Sequence, residues 1–331
     1  MRKPTKKSIV LVSAVILGIG LLSLAFVYFV LPSLVASGLA EARPKPPKRT
    51  PSVYAMSYED VLIPADGGVT LAGWLLPAQR PRDAKSPAYG TVVMSHGIHR
   101  NREQVLERAA FLSRGGYRVL VFDLRGHGGS TPAPLTGGLH EASDFKAALR
   151  YLDSRGDHRG LRVFFGLSLS AMAALRALSD GAQADALVAD SPLPDAKAYV
   201  ARRTAAGMFM RIPGFFERCL ESFNRKTGLR LTPGDLELIP VAGRVGVPVL
   251  LIAGEKDDLA PAADIQRLFR SLGTSTRRLL YVPEAGHDET YRKFRVMYER
   301  GVLEFLRDAR EGFPKPARVT PSPARTPVRK K

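Results

Sequence analysis

The sequence predicts an α/β protein: a mostly parallel β-sheet with helices on both faces, preceded by one apolar helix of membrane-spanning length. Three observations carry this. Residues 52–310 alternate short apolar runs with helically spaced apolar residues, the pattern of strands joined by crossover helices. Residues 8–40 contain no charged side chain. Chemically capable side chains follow directly after several of the short apolar runs, which is where parallel sheets gather reactive groups.

The chain has 331 residues, 45% apolar and 24% charged, enough to bury a sizeable core. It carries 49 Lys and Arg against 31 Asp and Glu, a formal net charge of +18. Residues 1–50 supply +7 and residues 311–331 supply +5, leaving +6 on the rest. A nucleic-acid binder concentrates basic charge on a face of its folded domain. Here the excess sits in terminal segments, so no nucleic-acid partner is expected. The single cysteine, Cys219, excludes an internal disulfide and a Cys-rich zinc site.

The elements follow in order. Residues 1–7 are a basic N-terminus, and the densest apolar stretch after them gives a transmembrane signal anchor at 8–34. About 20 helical residues cross a bilayer core. A cleaved signal has an apolar core of only about 7–15 residues, so a retained anchor is the expectation, although Gly38-Leu39-Ala40 offers small residues to a signal peptidase. Arg2, Lys3, Lys6 and Lys7 before the span nearly balance Arg43, Lys45, Lys48 and Arg49 after it. A short N-terminus stays cytoplasmic, which puts the folded domain on the extracytoplasmic side. Residues 41–51, with four prolines and four basic residues, form an extended linker. Residues 312–331, with five prolines and six basic residues, form a disordered tail.

Within 52–310, Pro64-Ala-Asp-Gly-Gly68 between apolar runs signals a hairpin. Further strands are expected at Gly90–Met94, Tyr117–Phe122, Arg162–Phe165, Ala186–Ala189, Val247–Ala253 and Arg278–Val282. Helices are expected at Arg102–Arg114, Glu141–Leu152, Ala171–Leu178, Ala262–Leu272 and Thr290–Asp308. The stretch of about 192–240 reads as irregular.

Four motifs follow strands. Gly166-Leu-Ser-Leu-Ser170 opens a helix, the arrangement of a nucleophile elbow that lifts the Ser168 hydroxyl above the sheet edge. The free N–H groups of that helix start can hold a developing oxyanion. Met94-Ser-His-Gly-Ile98 can aim the Ile98 N–H at a substrate carbonyl, with the Leu169 N–H as its partner. His96 reads as a residue that holds this loop. Gly254-Glu-Lys-Asp-Asp-Leu-Ala-Pro261 offers a carboxylate, Asp257 by its spacing, with Asp258 and Asp190 as alternatives. Pro283-Glu-Ala-Gly-His-Asp288 offers the imidazole of His287. The chain order Ser168, Asp257, His287 is that of α/β-hydrolases. Asp123 and His127 read as loop-bracing residues, and His99, His140 and His158 lack metal-ligand spacing.

With Asp123-Leu-Arg-Gly-His-Gly-Gly-Ser130 added to these four motifs, residues 58–308 resemble α/β-hydrolases. The likeness is to the branch that groups serine-aminopeptidase-like hydrolases with bacterial esterases. The resemblance implies an eight-stranded sheet, a Ser168/Asp257/His287 triad and no metal or organic cofactor. One departure stands out: Ser170 occupies the elbow position where the family pattern has glycine. The expected architecture is thus a hydrolase domain at 52–310 with a small lid at about 192–240.

The expected chemistry is ester hydrolysis through an acyl-enzyme, on a small-molecule ester or lipid, with the membrane met through the N-terminal helix. A serine peptidase or an acyltransferase on the same fold is the alternative, and a non-catalytic tethered binding protein is the rival from another class. Within the lid, Met208, Phe209, Met210, Ile212, Phe215 and Phe216 crowd nine positions. They either line an acyl pocket above Ser168 or pack onto the sheet; apolar spacing serves both.

Overall fold

The computed structural model describes residues 6–42, 44–79, 88–156, 160–203 and 205–313. Arg2, Lys3, Arg43, His158 and the tail from 314 lie outside the described residues. One long helix opens the chain: α1 (Lys6–Ala25), a π-helical turn (Phe26–Val30) and α2 (Leu31–Ala40) are continuous. It is long and apolar enough to cross a membrane. Large apolar side chains from Ile9 to Val30 are exposed along it, whereas Pro32, Ala36 and Ala40 are buried. The helix therefore outruns the expected span of 8–34, and its last ten residues pack on protein.

Residues 44–50 follow without helix or strand but are not free. The Lys48 and Arg49 backbone N–H groups and the Arg49 Nε donate to Glu103, and Asn101 Nδ2 donates to the Lys45 carbonyl at 2.8 Å.

Eight strands follow: β1 (Glu59–Ala65), β2 (Val69–Leu76), β3 (Gly90–Ser95), β4 (Arg118–Phe122), β5 (Leu161–Leu167), β6 (Ala186–Asp190), β7 (Val249–Gly254) and β8 (Arg277–Val282). They form one sheet in the order β1-β2-β4-β3-β5-β6-β7-β8. β2 pairs antiparallel with β1 and β4, and the remaining pairs are parallel. Gly67 and Gly68, at φ 78° and 73°, close the β1–β2 hairpin with two left-handed residues, the geometry that matches strand twist.

Between the strands run α3 (Leu106–Arg114), α4 (Leu139–Ser154), α5 (Leu169–Ser179), α6 (Ala196–Arg203), α7 (Phe215–Thr227), α8 (Ile239–Ala242), α9 (Ala262–Ser271), α10 (Thr290–Lys293) and α11 (Arg295–Glu311). Successive side chains of a strand point to opposite faces, and the core divides accordingly. Phe164 and Leu120 pack with residues of α4, α5 and α9. Phe165 and Val121 pack with residues of α3 and α11.

Two expectations change. The stretch read as irregular carries, among the described residues, α6, α7, the start of α8 and two 3-10 turns, and α7 is bounded by Gly214 and Gly228 at φ 77° and 73°. The expected helix Thr290–Asp308 breaks at Phe294 (φ −136°, ψ 61°). The break lets Tyr291 of α10 and Tyr298 of α11 both reach Arg108, whose guanidinium lies 5.0 and 5.4 Å from their ring centres.

Candidate active site

The parallel register brings the C-terminal ends of five strands level. Ser95 of β3 faces Gly166 of β5, Leu167 faces Asp190 of β6, Asp190 faces Ile252 of β7, and Gly254 faces Val282 of β8. The loops beyond these ends carry Ile98, Ser168, Asp257 and His287.

Ser168 sits in the turn from β5 to α5 with φ 54° and ψ −111°. L-residues adopt such a backbone only when surroundings enforce it. The close approach is real: a Cβ on Gly166 would lie 2.3 Å from the Ala171 nitrogen, so only glycine fits. Ser170, the departure from the family pattern, has a use. Its hydroxyl accepts from the Leu167 N–H at 2.7 Å and lies 2.8 Å from the Ser95 carbonyl, which can take its proton. The serine thereby ties the elbow to β3.

Ser168 Oγ stands 2.9 Å from His287 Nε2, and His287 Nδ1 stands 2.8 Å from Asp257 Oδ2. The other carboxylate oxygen, Oδ1, accepts the N–H groups of Leu259 and Ala260, each at 2.9 Å. Burial depresses the His287 pKa, but the hydrogen bond and charge of Asp257 more than offset this and leave it above the ordinary value. Neutral His287, with Nδ1–H donated to Asp257, presents its Nε2 lone pair to the Ser168 hydroxyl. This is the geometry a general base needs.

The alternative acids are placed elsewhere. Asp258 is exposed. Asp190 is buried and bonded to Arg108, Tyr298 and Thr290. Its backbone carbonyl accepts from the Ser168 N–H at 2.8 Å, and the neighbouring Ser191 hydroxyl lies 3.2 Å from the His287 carbonyl. This buried group of Arg108, Asp190, Thr290 and Tyr298 braces the serine and histidine turns from behind. It joins three parts of the chain distant in sequence, around 108, 190 and 290–298, so no local pattern marks it.

His96 and His127 are buried and hold the loops beside the site. His96 Nε2 accepts from the Leu124 N–H at 3.2 Å, and His127 Nε2 accepts from the His99 N–H at 3.1 Å. Burial pushes both imidazoles down to about 4, so both are neutral. Asp123 accepts from Arg102 and from the Gly129 N–H. Gln104 was not legible as a site residue, since one glutamine at a helix start carries no signal. Its Oε1 accepts the Gly97 N–H at 2.9 Å, which fixes the turn carrying Ile98. His140 opens α4.

Two hollows adjoin beside Ser168. One is lined by apolar side chains, among them Ile98, Leu135, Leu169, Met172, Phe216 and Leu220. The other is polar and contains Ser168, Gln104, His287 and Asp258. Ile98 and Tyr199 belong to both. Of the six apolar lid residues, only Phe216 lines the apolar hollow. Phe215, Phe209, Met210 and Ile212 instead pack with Val27, Leu31 and Val35 of the N-terminal helix, and Met208 is 74% exposed. The lining comes from the next turns of α7, at Cys219, Leu220 and Phe223.

The profile of the alpha/beta hydrolase family matches residues 92–300. The chain belongs to that family. This hydrolase is 30% identical over 234 residues to an uncharacterized protein of Mycobacterium tuberculosis, Rv2307c, covering 70% of this chain and 72% of that one. It is 28% identical over 260 residues to YqkD, an uncharacterized protein of Bacillus subtilis, covering 77% and 81%. Among solved structures it superposes on the Pyrococcus furiosus esterase Pf2001 with a TM-score of 0.66 at 26% identity, over 81% of this hydrolase and 97% of the esterase.

Proposed function

We propose that this hydrolase is a membrane-tethered serine esterase that cleaves esters of apolar acyl groups. Ser168 is its nucleophile, His287 its general base and Asp257 the acid that orients His287. The observation that carries the reading is the unbroken chain of hydrogen bonds from Asp257 through His287 to Ser168, beside an apolar hollow walled in part by Ile98 and Leu169. The likeness to an esterase over most of both chains supports it.

In this reading His287 takes the Ser168 proton as Oγ bonds to the acyl carbon. The Ile98 and Leu169 N–H groups hold the negative oxygen; losing one such donor typically costs about 10²–10³ in rate. The ester C–O bond breaks, and the alcohol leaves with the proton from His287. Water, deprotonated by His287, then attacks the acyl-serine and releases the acid and Ser168. Asp257 stabilises the imidazolium formed in each half. The N-terminal helix is retained as the tether, and the hydrolase domain stands on the extracytoplasmic side.

The test is Ser168→Ala. The wild type is expected to be labelled by a fluorophosphonate probe and to hydrolyse p-nitrophenyl butyrate, and the variant to do neither while unfolding at the same temperature. Hydrolysis by the variant at the wild-type rate would overturn the assignment.

A further inference from the structure

The expected membrane span and the apolar hollow turn out to share residues. Val27, Leu31, Val35 and Leu39 recur every four positions and form one ridge along the N-terminal helix. The first three pack against the lid residues Phe215 and Cys219 and their neighbours. The fourth, Leu39, is part of the wall of the apolar hollow beside Ser168. α7 answers with two apolar faces: Phe215 meets the ridge, Phe216, Leu220 and Phe223 face the hollow, and Cys219 belongs to both.

Polar contacts fix the same seam. The Arg218 guanidinium of α7 lies 5.0 Å from the Tyr28 ring centre and 5.5 Å from that of Phe29. The Tyr28 hydroxyl donates to the Pro213 carbonyl at 3.3 Å. At the far end of the helix, the Ala40 carbonyl accepts from the Leu135 N–H at 3.0 Å, and Leu135 is itself a wall residue. The long helix is thus held at both ends of its packed portion.

Dimensions relate this seam to a bilayer. The exposed apolar stretch from Ile9 to Val30 spans about 33 Å at 1.5 Å per residue, against a hydrocarbon core of about 30 Å. Leu39 then stands about 13 Å beyond Val30 along the axis, about 6–8 Å outside a headgroup layer of about 5–7 Å. Exposed Met208 and Arg211 on the lid suit that layer, where an apolar side chain inserts and a cation meets phosphate.

We propose that the last turns of the tether are a working wall of the acyl site, and that its occupant is the acyl chain of a lipid drawn from the bilayer in which the tether sits. This rests on the reading of Ser168 as nucleophile and adds the source and form of the substrate. The ester carbonyl rises to Ser168, and the acyl chain lies between α7 and Leu39. The products are a free fatty acid and the alcohol portion of the lipid.

The test uses the full-length protein in phosphatidylcholine vesicles, with 4-methylumbelliferyl palmitate dissolved in the same vesicles and 4-methylumbelliferyl butyrate in the water phase. Filling the wall by Leu39→Trp is expected to lower the palmitate-to-butyrate ratio about tenfold, since several methylene contacts are lost. Leu34→Ala, on the 56% exposed Leu34 of the same helix, is expected to leave the ratio unchanged. Palmitate carried only in added, protein-free vesicles is expected to turn over at least tenfold more slowly than palmitate in the protein's own. A ratio equal in Leu39→Trp and wild type, with fluorophosphonate labelling intact, would overturn the role of the tether. Equal turnover of the two palmitate presentations would overturn the bilayer as the source. A wild-type protein that is not labelled and cleaves neither ester would instead sink the reading of Ser168.

Discussion

Phe215 and Phe216 are neighbours in sequence and belong to different machines. Phe215 is 1% exposed and packs on the N-terminal helix and on Phe209, ring centres 5.9 Å apart. Phe216 is 6% exposed and lines the apolar hollow. Truncating Phe216 to alanine withdraws its ring from any acyl chain held there. If that chain loses contact with two methylenes, at about 0.8 kcal/mol each, the loss is about 1.6 kcal/mol, or about fifteenfold in discrimination. Truncating Phe215 removes a buried ring from the seam, which costs about 3–5 kcal/mol of stability by analogy with core phenylalanines. It leaves the lining of the hollow in place. The assay is kcat/KM on p-nitrophenyl dodecanoate relative to butyrate, with thermal unfolding measured alongside. Phe216→Ala is expected to lower the ratio about fifteenfold with a small change in Tm, and Phe215→Ala to lower Tm with the ratio within about twofold. A ratio that moves in Phe215→Ala and not in Phe216→Ala would refute this division of α7.

Two pH dependences follow from the histidines. In the proposed mechanism His287 acts only when neutral, and Asp257 holds its pKa above the ordinary 6.5. The acid limb of kcat/KM against pH should therefore have its midpoint above 6.5, and Asp257→Asn should move it downward while slowing the reaction; a wild-type midpoint below 6.5 contradicts the geometry. His96 and His127 titrate near 4 in the folded protein because burial disfavours their charge. The unfolded chain takes up protons on both near 6.5. Their neutral state therefore supports the fold above about pH 6.5, and that support is lost as pH falls toward 4, by up to about 3 kcal/mol per histidine. Urea unfolding from pH 7 to pH 4.5 should show this decline, and His127→Gln should reduce its slope; an unchanged slope would assign the acid lability elsewhere.

The eight strands were legible because each central strand is buried on both faces, so it reads as a short apolar run with sharp ends. The candidate site was legible for the same reason. Ser168, Asp257 and His287 each lie a few residues past such an end, and a level register converts those sequence positions into neighbours in space. Ser170 shows the limit of pattern. As a departure from glycine it carried no sign of use, and its bonds to Leu167 and toward Ser95 exist only once β3 and β5 are paired. Arg108, Asp190, Thr290 and Tyr298 were illegible as a group because each comes from a different element. Burial of a charged pair is worth its desolvation only where further hydrogen bonds complete it, and that completeness is a tertiary property.

The lid's apolar cluster was not assignable from sequence because apolar spacing says that a helix face is buried but not against what. Residues 208–216 satisfy the demand of a pocket and the demand of a neighbouring helix equally well. The partner that decides between them, the segment Leu31–Ala40, lies about 180 residues earlier and reads as the continuation of a membrane span. Its small buried residues, Ala36 and Ala40, are what let a helix approach another closely. Loss of this segment by cleavage after Ala40 would leave Phe215 and Cys219, now 1% and 5% exposed, with Phe209, Met210 and Ile212 facing water. That is a contiguous apolar patch of the kind soluble proteins avoid, and the hollow beside Ser168 would lose Leu39 from its wall at the same stroke. Retention of the helix and integrity of the lid are therefore one requirement: the residues that would hold the hydrolase in a bilayer continue, without a break in the helix, into residues that shape the apolar hollow.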